Sequence, residues 1–129
     1  MLYTLLVMAG GAIGAALRFH AGTICAALLG PDWPWGTLFV NVSGGFAMGL
    51  LAGWMALRGA GAEPLRLFVG VGILGGFTTF SSFSLESVSM LARGEIGSAL
   101  AYVALSVIAS IGALALGLAA TRLVAGAAA

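Results

Sequence analysis

The chain has 129 residues, 61% hydrophobic and only 7% charged, with a net charge of +1. Soluble domains carry about 45–50% apolar and about 25% charged residues, so this composition excludes an ordinary soluble domain and belongs in a bilayer. The near-neutral charge without a basic cluster gives no surface for nucleic acid, and the single cysteine gives no disulfide framework.

Spanning the hydrocarbon takes about 20 apolar residues as a helix. Stretches of that length occur near 2–28, 34–57, 65–91 and 96–124, separated by short polar breaks that hold most of the charge. We expect one membrane domain over 1–129, all-α, with these four transmembrane helices. The first stretch has no basic residue ahead of its long apolar run, unlike a cleaved secretory signal, and is expected to be retained. Gly10 and Gly14 lie four apart on it, a spacing that lets helix backbones approach closely. Cys25 reads as a small hydrophobe. His20 is the only histidine, with no second ligand or nucleophile beside it, so no enzyme chemistry is expected.

In the second helix Gly45, Gly49 and Gly53 repeat the small-residue spacing, and Thr37 and Asn41 share a face. The third helix holds Gly75-Gly76 at mid-span, followed by Thr78, Thr79, Ser81 and Ser82. Glycine disfavours helix and these hydroxyls compete for backbone hydrogen bonds, so a break is expected near 75–79. Thr79, Ser82, Glu86 and Ser89 continue as a polar stripe, and Phe77, Phe80 and Phe83 are spaced by threes. An aromatic ring has a positive edge that can solvate a small anion, although on spacing alone aromatics placed this way more often serve core packing. The fourth helix carries Tyr102, Ser106 and Ser110 on one face.

Unsatisfied polar groups are costly in hydrocarbon, so these stripes should face one another or water, as a path. Asn41 and Glu86 carry the most weight, because strongly polar groups inside a span mark functional sites. A broken helix at this depth exposes carbonyls that hold a cation and amides that favour an anion. On orientation, Arg58, Arg66 and Arg122 fall on one side of a four-span chain, and Arg93, with Arg18 if it snorkels, on the other. So slight a bias leads us to expect insertion both ways up and pairing of oppositely inserted copies as an antiparallel homodimer.

GGAIGAALRF (10–19), WGTLFVNVSGGFAMG (35–49) and GILGGFTTFSSFSLE (72–86) closely resemble, in the same order and over nearly the whole chain, the Fluc family of bacterial fluoride channels. The resemblance implies a dual-topology homodimer in the bacterial inner membrane, with two antiparallel pores that pass fluoride passively, reject chloride and lower cytoplasmic fluoride. It implies that Phe80 and Phe83 line the pores with Asn41 near the entrance region, and that Thr37, Ser82 and Glu86 form a polar track. Tyr102 and Ser110 match fourth-helix pore positions by spacing. A central sodium ion is implied on the backbone carbonyls of Gly75 and Thr78 from both subunits, and an electropositive vestibule at Arg18. Where the family commonly has Thr-Phe-Ser-Thr-Phe, this chain has Thr79-Phe80-Ser81-Ser82-Phe83; the hydroxyl is kept, so conduction is expected. The alternative, a small dual-topology proton-coupled drug exporter, relies on a carboxylate in its first helix, and residues 2–28 contain none. A purely structural subunit would leave the Asn, Glu and hydroxyl stripes unexplained.

Overall fold

The computed structural model describes residues 1–58 and 63–127. It consists of α1 (Leu2–Leu29), α2 (Trp35–Arg58), α3 (Glu63–Leu65), a π-helical segment (Arg66–Leu74), α4 (Gly75–Phe77), α5 (Phe80–Ala92) and α6 (Ile96–Ala127). Four stretches are long and apolar enough to cross a membrane, the third running from Glu63 to Ala92 through α3, the π-helical segment, α4 and α5. Residues 59–62, in the connection between the second and third spans, lie outside the described residues. At 32 residues, α6 is about 48 Å long at about 1.5 Å per residue, beyond the roughly 30 Å hydrocarbon core.

Chain reversals fall where side chains would be strained. Gly30 ends α1 at φ +86° and returns its N–H to Ala26 O at 3.1 Å. Gly94, at φ +79°, ends α5 while Glu95 N–H reaches back to Met90 O at 3.0 Å, which satisfies carbonyls that a helix end leaves open.

Backbone contact, more than side-chain bulk, holds the helices together. A methyl at Gly14 would overlap Ile73 O and lie 2.8 Å from Phe77 N, so α1 rests directly on the third span. Along α2, Gly45 meets Ser110 O, Gly49 meets Leu114 O and Gly53 meets Thr121, all on α6. Small residues on facing stripes suit a medium in which lipid gives no hydrophobic drive for helix association. The buried core is correspondingly thin, with Met90, Ala99 and fully buried Tyr102 packed under Trp33, Leu38 and Phe83. Large apolar side chains such as Phe19, Ile108 and Leu116 point outward.

Helical geometry in the third span lapses at Thr78 (φ −82°, ψ 157°) and Thr79 (φ −151°, ψ 117°), both extended. The neighbouring glycines are not the extended residues: Gly75 is helical at φ −64°, ψ −37°, and a methyl on Gly76 would lie 2.7 Å from Gly11 O. Gly76 lets α1 approach, and hydroxyls manage the lapse. Thr78 Oγ1 donates to Leu74 O at 2.9 Å. Thr79 Oγ1 accepts from Ser82 N–H at 3.2 Å and so caps α5. The π-helical run over Arg66–Leu74 has no counterpart among the sequence expectations.

Candidate functional site

An open cavity of about 320 Å³ lies beside Thr78 and Thr79, lined among others by Asn41, Phe80, Phe83, Ser106 and Ser110. α2 supplies Asn41, the start of α5 supplies both phenylalanines, and α6 supplies the two serines. The Phe80 and Phe83 rings are 5.5 Å apart at 45°. Phe80 is 79% exposed, so this wall of the cavity stands at the edge of the single chain.

Asn41 binds the backbone of the extended segment twice. Its Oδ1 accepts Thr79 N–H at 2.7 Å, and its Nδ2 donates to Thr79 O at 3.0 Å. The pairing fixes which end of the amide is which, because one backbone group is a donor and the other an acceptor. Thr79 Oγ1 also donates to Ser82 Oγ at 3.1 Å, which ties Ser82 to the lapse and leaves it outside the cavity lining.

Past Phe83 the polar groups form a second cluster. Glu86 accepts from Thr37 Oγ1 at 2.7 Å through Oε1 and from Tyr102 Oη at 2.6 Å through Oε2. One carboxylate therefore joins α2, α5 and α6, and charge-assisted bonds of this kind are the strong ones. Tyr102 sits between the two clusters, 5.4 Å from the Phe83 ring and 5.2 Å from Trp33, which meets it edge-on at 79°. Two further clefts, of about 230 and 340 Å³, flank Trp33 and Glu86 on the side of the 30–34 connection.

The sequence-assigned residues thus divide into groups. Asn41, Phe80, Phe83 and Ser110 meet at the cavity; Thr37, Glu86 and Tyr102 meet at the carboxylate. Arg18, on α1, is not among the residues lining the cavity, and its Nη1 donates to Thr78 O at 3.4 Å. Gly75 lies off the cavity, and the N–H that a continuing helix would send to Gly75 O, that of Thr79, is taken by Asn41.

Two residues left without a site role deserve one. Ser106 is 5% exposed, lines the cavity, and its Oγ has no hydrogen-bond partner; its place in the stripe with Tyr102 and Ser110 was the available signal. Trp33 lies in a short connection, where no periodicity marks it.

Among the described residues no group of three or more His, Cys, Asp or Glu side chains could hold a metal. The donors around the cavity are neutral, and Glu86 is the nearest formal charge on α2, α5 and α6. In the α5–α6 turn the hydrogen bonds and charge of the Arg93 guanidinium hold the Glu95 carboxyl below the usual carboxylate range.

A family model described as CrcB-like protein, Camphor Resistance (CrcB), matches residues 5–118. The chain belongs to the CrcB-like family. The match runs from α1 into α6 and takes in every residue placed at the cavity and at the carboxylate cluster. This CrcB-like chain is 54% identical over 124 residues to the fluoride-specific ion channel FluC of Novosphingobium aromaticivorans, covering 95% of this chain and 98% of that one. It is 54% identical over 115 residues to FluC of Hyphomonas neptunium, covering 88% and 91%. Against FluC of Caulobacter vibrioides it is 51% identical over 119 residues, covering 92% and 94%. The CrcB-like relatives are named as ion channels, so this is a channel family and not one of enzymes.

Proposed function

We propose that the chain is a passive fluoride channel that exports the ion across the bacterial inner membrane. The observation that carries this reading is the cavity at Asn41, whose lining offers hydroxyl groups, an amide and two phenyl rings, and no basic side chain. Moving a small ion into a medium of low dielectric costs of order 20 kcal/mol in the idealised limit, so the path must replace water. Hydroxyls of Ser106 and Ser110, the Asn41 amide and the positive ring edges of Phe80 and Phe83 each replace part of it. Neutral donors form several weak sites in place of one deep trap, as conduction requires. Chloride, being larger, is excluded by a narrow slot between rings.

The exposed Phe80 wall supports a path completed by a second copy, and the slight arginine bias supports insertion of that copy upside down. The working unit in this reading is an antiparallel homodimer with two pores, Thr37, Ser82, Glu86 and Tyr102 continuing each route toward water and Arg18 drawing anions to the mouth. In this reading the third span acts as a broken helix whose Gly75 and Thr78 carbonyls would hold a sodium ion at the dimer centre. Backbone carbonyls suit a hard cation, and Thr78 O, which accepts from the Arg18 guanidinium at 3.4 Å, would have to be shared with Arg18 or released by it. Bound there, sodium raises the potential for anions along both routes.

Purified protein in liposomes tests the reading against a proton-coupled exporter. Fluoride efflux without a proton gradient supports the channel; drug efflux that needs the gradient refutes it. A C-terminal tag reached from both faces of the membrane supports dual insertion, and a tag found on the cytoplasmic face alone refutes it.

A further inference from the structure

We propose that Asn41 is a positioning residue that works through the backbone of Thr79, and that its requirement is for a neutral side chain presenting one donor and one acceptor together. The proposal rests on the reading of the cavity as a fluoride path and adds a role on the Thr79 backbone to its place in the lining. Two extended residues at mid-span leave backbone groups outside any helix, and at this depth each needs a partner. Thr78 N–H returns to Leu74 O at 3.0 Å and Thr78 O takes Arg18 Nη1 at 3.4 Å. Both groups of Thr79 go to Asn41, 38 residues away on α2. One side chain thereby supplies what a neighbouring β-strand would, and it does so at the residue before Phe80.

The consequence reaches the cavity through the chain. Thr79 is the N-cap of α5, so fixing its peptide groups to α2 fixes where α5 begins and where the Phe80 and Phe83 rings stand. Asn41 Oδ1, which would repel an anion, is occupied by Thr79 N–H. Of the two amide hydrogens one goes to Thr79 O, leaving one for the path. An ionised carboxylate here is acceptor-only and would face Thr79 O with a second oxygen. A protonated carboxyl restores the pair: its carbonyl accepts Thr79 N–H and its O–H donates to Thr79 O, with no hydrogen left over.

That difference makes Asn41→Asp the decisive variant, read by fluoride efflux and by hydrogen exchange of the Thr79 amide in the same vesicles. We expect wild type to conduct and Thr79 to be protected both at neutral pH and in acid strong enough to protonate the introduced carboxyl. Asn41→Asp should conduct poorly with fast Thr79 exchange at neutral pH, and recover both in acid. Asn41→Ala should show exchange faster by roughly tenfold for each lost bond at both pH values. The charged and titratable groups on the packed elements include Arg18 and His20 on α1, Arg58 on α2, Glu86 on α5, and Tyr102 and Arg122 on α6, and the wild-type profile over the same range accounts for them. Protein-free vesicles account for permeation of protonated fluoride.

Acid that restores Thr79 protection but not efflux overturns the positioning role in favour of direct donation to the ion by the free amide hydrogen. Asn41→Ala with wild-type Thr79 protection overturns the bracket itself. Wild-type vesicles that pass no fluoride refute the channel reading alone, and the exchange data then decide the bracket.

Discussion

The contact between Tyr102 and Glu86 gives a quantitative test of how α5 and α6 are joined. Tyr102 is fully buried, and its hydroxyl donates to a carboxylate oxygen at 2.6 Å. Side-chain hydrogen bonds between membrane helices average about 0.6 kcal/mol and reach about 1.7, whereas bonds to charged groups contribute about 1.5–3 kcal/mol. A short bond to a carboxylate with only one other donor, Thr37, belongs at the overlap of these ranges, so we expect a coupling of about 1.5 kcal/mol. Tyr102→Phe keeps the ring contacts with Trp33 and Phe83, and Glu86→Met keeps much of the side-chain volume without an acceptor. Unfolding of wild type, both single variants and the double variant in mixed micelles, at one protein concentration, closes the cycle. A coupling at or below about 0.6 kcal/mol would mean that the carboxylate does not bind Tyr102 as a charged acceptor, and the cluster would lose its place as the joint between the helices.

Three further outcomes follow from the same geometry. Phe80→Ile or Phe83→Ile should nearly abolish fluoride efflux while the protein stays folded, and unchanged efflux in both would remove the phenyl rings from the path. Gly14→Ala puts a methyl into the backbone of the third span, and overpacking of this kind costs about 1–3 kcal/mol of unfolding free energy; Gly97→Ala, with open space around it, should be neutral or stabilising by up to about 1 kcal/mol. Ser106→Ala removes a buried hydroxyl that has no partner, so unfolding should shift by less than about 0.5 kcal/mol while efflux falls; a large loss of stability would reveal a partner that the ion was thought to be.

Much of the fold was legible because its signals are local. Apolar runs mark the four spans, and the spacing of Gly10 with Gly14 and of Gly45, Gly49 and Gly53 marks faces in close contact with other helices, through backbone at the first four and through the Thr121 side chain at Gly53. The partners of polar residues were not legible, because helical spacing orders side chains on one helix and says nothing about the helix opposite. Thr37 and Asn41 share a face, yet Thr37 goes to Glu86 and Asn41 goes to Thr79. Ser82 and Glu86 form one stripe in sequence, yet Ser82 serves the cap at Thr79 while Glu86 joins α2 and α6. The expectation of a break rested in part on the glycine pair, whereas the extended residues are Thr78 and Thr79 and Gly75 is helical. Nothing in RLFVGVGIL distinguishes a π-helical from an α-helical hydrogen-bond pattern, and Trp33 carries no periodic signal in its connection.

The central claim is that neutral donors and ring edges select a small anion, and a single flux comparison tests it most directly. Liposomes bearing the pure protein, loaded with fluoride or with chloride under identical potassium gradients, should release fluoride rapidly and retain chloride. Equal release of both anions, or release of neither, would contradict the account.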